Sequence, residues 1–172
     1  MSEGMTPSQT VGPFFAIGLP WPEGPFAAAE EAPDVIQVRG RILDGDGAPV
    51  PDALVETWQS TPAGTDGFRG FTRCPTDGEG RYAIRTLRPG PVPGPIGSTQ
   101  APHLTMSVFA RGLLDRVVTR VYFGDEERAN AEDPVLSIVG ERAATLVAAP
   151  TTDGYVFDIR LQGPDETVFF SI

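Results

Sequence analysis

A chain of 172 residues, 40% of them hydrophobic, is enough for one domain with a sizeable core and leaves little room for a second. A formal net charge of −10 repels a phosphate backbone and argues against nucleic acid as a partner, and all 13 basic residues are arginine. One cysteine excludes an intrachain disulfide framework, and no stretch approaches the roughly 20 apolar residues needed to span a bilayer.

The start, MSEGMTPSQT, has neither a basic region nor an apolar run, which predicts no signal peptide and a cytoplasmic location. Residues 1–33 follow no helical or strand period, yet hold Phe14, Phe15, Ile17, Leu19, Trp21 and Phe26 among prolines. A disordered tail is poorer in such residues, so this segment reads as an extended arm packed on its own domain or on a partner. From Val35 the pattern turns β-rich. Strands are expected at VIQVRGRIL (35–43), ALVETWQ (53–59) and RYAIRTL (81–87), with turns at DGDG and TDGEG. RPGPVPGPIGSTQAP (88–102) is a Pro/Gly loop that cannot be a central strand. HLTMSVFA and RVVTRVYF follow as strands, then GDEERANAED as a short acidic helix or a loop. VLSIV, ATLVAA and YVFDIRLQ complete the set, the last with Tyr155, Phe157, Ile159 and Leu161 on one face. Short strands at this spacing predict an all-β fold, an antiparallel β-sandwich over 34–172 preceded by the arm.

The common chemical motifs are missing. Zinc needs about four ligands, and the chain has one cysteine and one histidine, far apart. There is no GxSxG elbow, no lysine for a phosphate loop, and DGDG is too short for a calcium loop. His103 follows Pro102 at a strand entrance, and two readings stand open: a neutral imidazole bonded to a backbone carbonyl, or the base of a stand-alone hydrolase.

Several collinear stretches carry a resemblance. TPSQTVGPFF, RGRILDGDGAPVPDALVETWQ, TDGEGRYAIRTLRPGPVP and APHLTMSVFARG resemble the intradiol ring-cleaving dioxygenases. FARG, VYFGDEERAN and FDIRLQGPDETVFF are similar, more narrowly, to the non-catalytic chain of the two-chain members that act on protocatechuate. The resemblance implies an intradiol dioxygenase or prealbumin-like sandwich and a role beside a homologous catalytic beta chain in a higher-order oligomer. That partner holds Fe(3+) through two tyrosines and two histidines, and the pair cleaves protocatechuate with O₂ to 3-carboxy-cis,cis-muconate.

Carried over position by position, the ligand places fall here on Asp66, Val92, Leu104 and Met106, with His103 one residue off and Ala101 where the family has an arginine. Valine and leucine offer no donor, and a thioether is soft for a hard ferric ion, so no metal is expected in this chain. Thr10, Gly12, Pro13 and Phe14 match pocket-lining positions, with phenylalanine where a tyrosine can stand. Arg111 of FARG is a candidate for attracting the substrate carboxylate, and Arg120 is expected to be structural. TDGEGRYAIRTLRPG also resembles transthyretin-like sandwich repeats, which implies a non-enzymatic binding module as the alternative.

Overall fold

The computed structural model describes residues 7–61, 65 and 67–171. The first long strand is β1 (Val35–Leu43), followed by β2 (Leu54–Trp58), β3 (Phe71–Pro75) and β4 (Arg81–Leu87). The Pro/Gly loop contributes only a separate two-residue ladder, β5 (Val92–Pro93) with β6 (Thr99–Gln100). Then come β7 (His103–Phe109), β8 (Val117–Phe123), β9 (Val147–Thr151), β10 (Gly154–Val156) and β11 (Ile159–Arg160). Three short helices are described: α1 (Phe15–Gly18) in the arm, and α2 (Glu127–Glu132) and α3 (Pro134–Val139) between β8 and β9.

The expected antiparallel sandwich is not what forms. Among the described residues one nine-stranded sheet runs β11-β1-β10-β9-β8-β7-β2-β3, with β4 also paired to β1. It is mixed: β1 pairs in parallel with β10 and β11, and β8 with β9. Long connections are the reason. A parallel return needs a crossover of a dozen or more residues, and the 124–146 segment provides one between β8 and β9. The sheet curls until its ends meet, with the Cys74 thiol of β3 3.4 Å from Ala83 O of β4, so the form is a nearly closed barrel.

The arm fills the seam where β3 and β4 do not ladder. Arg73 N donates to Gly24 O at 2.8 Å and Arg85 N to Pro25 O at 2.9 Å, while Ala27 N donates to Arg85 O at 2.9 Å. Gly24 has to be glycine, because a Cβ there would lie 2.6 Å from Arg73 O. Trp21 stacks on Phe71, and the Arg85 guanidinium sits 4.5 Å over the Phe26 ring.

Inside the barrel, Val38, Ile42, Val55, Ile84, Leu104, Met106, Val108, Val121 and Phe123 form one core, with Phe157 and Ile159. A second cluster, Ala101, Tyr122, Leu136 and Leu146, packs the helical crossover on the outer face of β8. VLSIV is therefore helix and not strand. Asp133 caps it, its Oδ1 accepting from Val135 N and Leu136 N at 2.8 and 2.9 Å, with Pro134 in the first turn and Gly140 ending it at φ 65°. ATLVAA begins as a 3₁₀ turn and only its end becomes β9. YVFDIRLQ keeps its inward alternation but splits into β10 and β11, because Asp158 Oδ1 takes the Arg41 N–H at 2.9 Å.

Candidate functional site

Two regions gather the residues singled out in the sequence. In the first, the arm meets the turn after β7. Thr10 Oγ1 accepts from Gly112 N at 3.1 Å and Ser8 Oγ donates to Asp115 Oδ1 at 3.1 Å, so the arm runs beside Arg111. Gly12 has φ 69°, a left-handed backbone that glycine takes without strain, and a Cβ there would meet nothing within 4 Å. Pro13 is exposed and Phe14 is 77% exposed. Arg111 Nε lies 3.0 Å from Asp52 Oδ2. Both Asp52 carboxylate oxygens are buried without a hydrogen-bond partner among the described residues, so this contact is one of charge rather than a well-directed hydrogen bond.

The second region is a cleft of about 140 Å³ lined by Trp58, Gln59, Ser60, Val92, His103 and Thr105. Val92 is the one expected ligand place that reaches it. Leu104 and Met106 are fully buried in the barrel core, and Asp66 lies outside the described residues. The alternation of β7 decides this: 104, 106 and 108 face inward, while 103 and 105 face the cleft. His103 is thus on the side of Val92, opposite to Leu104. Its Nδ1 is 2.7 Å from Ala101 O, which can only accept, so Nδ1 carries a proton. A hydrolase triad needs a carboxylate there, which leaves that reading without support. Burial holds the imidazole pKa below its usual value. Arg120 stands across the ladder from Thr105 and donates to Gln100 Oε1 at 2.5 Å and Tyr122 Oη at 3.1 Å.

These donors do not fit ferric iron. Val92 has no donor atom, Arg120 adds positive charge beside the cleft, and no group of three or more His, Cys, Asp or Glu able to hold a metal exists among the described residues. The tyrosines are equally unsuited. Burial pushes the Tyr122 phenol up to about 12, and raises Tyr82 and Tyr155 as well. The Tyr82 hydroxyl donates to Phe157 O at 2.6 Å, and the Tyr155 hydroxyl donates to Asp125 Oδ2 at 2.9 Å. None of these three tyrosines lines the cleft that Val92 reaches.

The barrel, the arm and the 88–102 loop belong to a known class: the chain is a member of the intradiol dioxygenases, oxidoreductases whose family model, described as dioxygenase, matches residues 12–163. It is 43% identical to the protocatechuate 3,4-dioxygenase alpha chain of Burkholderia cepacia, across 97% of both chains. It is 36% identical to the beta chain from the same organism, across 77% of this chain and 66% of that one. The dioxygenase domain of a dioxygenase carbohydrate-binding protein fusion from Streptomyces sp. SirexAA-E superposes with a TM-score of 0.60 at 23% identity, over 92% of this chain and 98% of that one, a likeness of fold. The motif resemblance is borne out, and a match running over 12–163 removes the basis for a transthyretin-like binding module.

Proposed function

We propose that this chain is the non-catalytic alpha partner of a protocatechuate 3,4-dioxygenase, acting in the cytoplasm beside a homologous beta chain that holds Fe(3+). The observation that carries the reading is a cleft without an iron ligand set: Val92 stands beside a single imidazole, no tyrosine or carboxylate lines it, and no group of three or more His, Cys, Asp or Glu able to hold a metal exists among the described residues. When bound in the partner, ferric iron activates the aromatic diol for O₂-dependent cleavage between its two hydroxyl-bearing carbons. This chain's part is to complete the pocket wall. The backbone of Gly12 and Pro13 offers a low, stiff edge that a ring can approach closely. Thr10 is pinned to Gly112, and Phe14 presents an apolar face. Arg111 supplies positive charge where the substrate carboxylate enters.

The test is expression of the full chain alone and together with a homologous beta chain, with iron counted per protein and the visible spectrum recorded. Alone, the chain is expected to be colourless and to hold no stoichiometric iron. The two-chain complex is expected to be coloured by tyrosinate-to-iron charge transfer and to cleave protocatechuate. Tightly bound stoichiometric iron in the isolated chain overturns the proposal, as does failure of the two chains to copurify.

A further inference from the structure

The cleft beside Val92 opens onto a row of aromatic rings. On the outer face of the barrel, Trp58 of β2 stands opposite Phe71 of β3 on one side and Thr105 of β7 on the other. The Trp58 and Phe71 rings lie 4.5 Å apart, and Trp21 of the arm stacks on Phe71 at 6.3 Å. Trp21 and Trp58 are the only tryptophans in the chain, and they stay 40% and 54% exposed. Tryptophan is enriched at the energetic centres of protein interfaces, and ring surface left in water gains the barrel nothing. The row is also electrically quiet. Arg73, over Trp21 and Phe71, is paired with Glu56 at 2.5 Å, so a partner can cover the rings without stranding a charge. The row continues the outward apolar half of the arm, which ends at Leu19, two residues before Trp21.

On the Val92 side of the cleft, the hairpin of β5 and β6 ends in Ile96. This residue has φ 54°, a left-handed backbone that is strained for a β-branched side chain, and the side chain is fully exposed. Two hydrogen bonds hold the tip in that shape, Gly94 N to Ser98 O at 2.8 Å and Ser98 Oγ to Pro95 O at 2.7 Å. Neither the strain nor the exposure serves the isolated chain. The cleft itself, at about 140 Å³, is below the about 300–1,000 Å³ typical of small-molecule sites. It still offers polar groups. The Thr105 hydroxyl and His103 Nε2 have no hydrogen-bond partner among the described residues, and with Nδ1 protonated, Nε2 can only accept. A segment of chain with free backbone N–H groups fits such a place better than a substrate does.

The proposed pairing of two homologous barrels supplies that segment. A contact between equivalent faces is reciprocal: where residue i of one subunit meets j of the other, j also meets i. Under the proposed function this chain's arm reaches the iron-holding cleft of the beta chain, and the Val92 cleft is the equivalent place here. We infer that the Val92 cleft is the seat of the beta chain's N-terminal arm, which lies against Trp58 between the ring row and the Ile96 tip, an inference that rests on the proposed function. The test places p-benzoylphenylalanine at position 58 and, separately, at position 96, with the two chains coexpressed. The purified complex is irradiated and its crosslinks are mapped by mass spectrometry. Crosslinks are expected on the N-terminal segment of the beta chain. Crosslinks only to the beta chain's barrel, only to a second copy of this chain, or none in an intact complex overturn the inference and leave the pairing standing. Failure of the unsubstituted chains to copurify overturns both. Affinity gives a second readout, by analytical ultracentrifugation of the complex. Trp58→Ala should weaken association about thirtyfold, the loss of an interface centre, and Trp58→Phe should keep most of it. Ile96→Gly relieves the left-handed strain, so it should weaken association about tenfold without lowering the Tm of the isolated chain. Unchanged association in both Trp58→Ala and Ile96→Gly also overturns the inference.

Discussion

Arg111 is held by an acid that has nothing else to hold. Its side chain is 63% exposed, whereas Asp52 is 19% exposed with both carboxylate oxygens lacking a hydrogen bond. A buried carboxylate without compensation is costly, so the Arg111 charge stabilises Asp52 in the free chain. In the proposed pocket the same guanidinium also faces an incoming substrate anion. Arg111→Ala therefore removes an attraction and uncovers a repulsion. In the two-chain complex, KM for protocatechuate should rise about tenfold, equivalent to about 1.4 kcal/mol, with a smaller change for catechol, which has no carboxylate. Steady-state kinetics on both substrates check this, and equal rises for the two would remove the carboxylate role. Adding Asp52→Asn separates the effects: it should recover the stability lost in Arg111→Ala without restoring the preference for protocatechuate. At this scale the sequence is legible where chemistry is local, as in the His103 imidazole beside a carbonyl. It misleads where one residue of register matters. Leu104 and Met106 stand at the expected ligand places, but with Val108 they spell the inward face of β7, so the cleft side belongs to His103 and Thr105.

Asp133 joins the helical crossover to the barrel. It is fully buried, and each of its oxygens is used: Oδ1 by Val135 N, Leu136 N and the Tyr122 hydroxyl at 3.2 Å, and Oδ2 by Ala101 N at 2.8 Å. One carboxylate thus starts α3, fixes Tyr122 of β8 and anchors the entrance to β7. Asp133→Ala loses the cap, about 1 kcal/mol, and strands buried donors at about 1–3 kcal/mol each. A total loss of about 3 kcal/mol is expected in urea unfolding of the isolated chain, with Asp133→Asn losing less because one acceptor oxygen remains. Equal losses for the two variants would mean that the acceptor is not the source of the stability. The helix was written in the sequence all the same. Asp133-Pro134 is an N-cap with proline at the first position, and Gly140 is a stop signal. VLSIV read alone suggests a strand because its β-branched residues outweigh the caps on either side. The strand directions were not legible in that way. Local alternation gives the same pattern for a strand that returns antiparallel through a hairpin and for one that returns parallel after a helical crossover.

For the molecule as a whole, the arm has two halves with different tasks. Residues 24–27 close the seam between β3 and β4 and belong to the fold. Residues 11–19 leave Val11, Phe14, Ile17 and Leu19 outward, with Phe14 and Ile17 at 77% and 78% exposure, in a chain whose remaining apolar residues mostly lie inside a barrel. Their exposure means that the isolated barrel gains little from them, and surface changes of this kind usually move stability by no more than about 0.5 kcal/mol. Under the proposed function they are covered by the catalytic chain. Each large apolar side chain is then worth about 1.5–3 kcal/mol of association, or roughly one to two orders of magnitude in affinity. Phe14→Ser and Ile17→Ser should therefore leave the Tm of the isolated chain within about 2 °C of the parent, since about 1 kcal/mol shifts Tm by only about 2–4 °C in domains of this size. In coexpressed protein the same substitutions should weaken association with the beta chain by at least about tenfold each, read by analytical ultracentrifugation. A seam substitution, Gly24→Val, should give the opposite pattern, lowering the stability of the isolated chain because its side chain collides with Arg73 O. If Phe14→Ser and Ile17→Ser destabilise the isolated chain and leave association unchanged, the outward half of the arm serves the fold and the partner contact lies elsewhere.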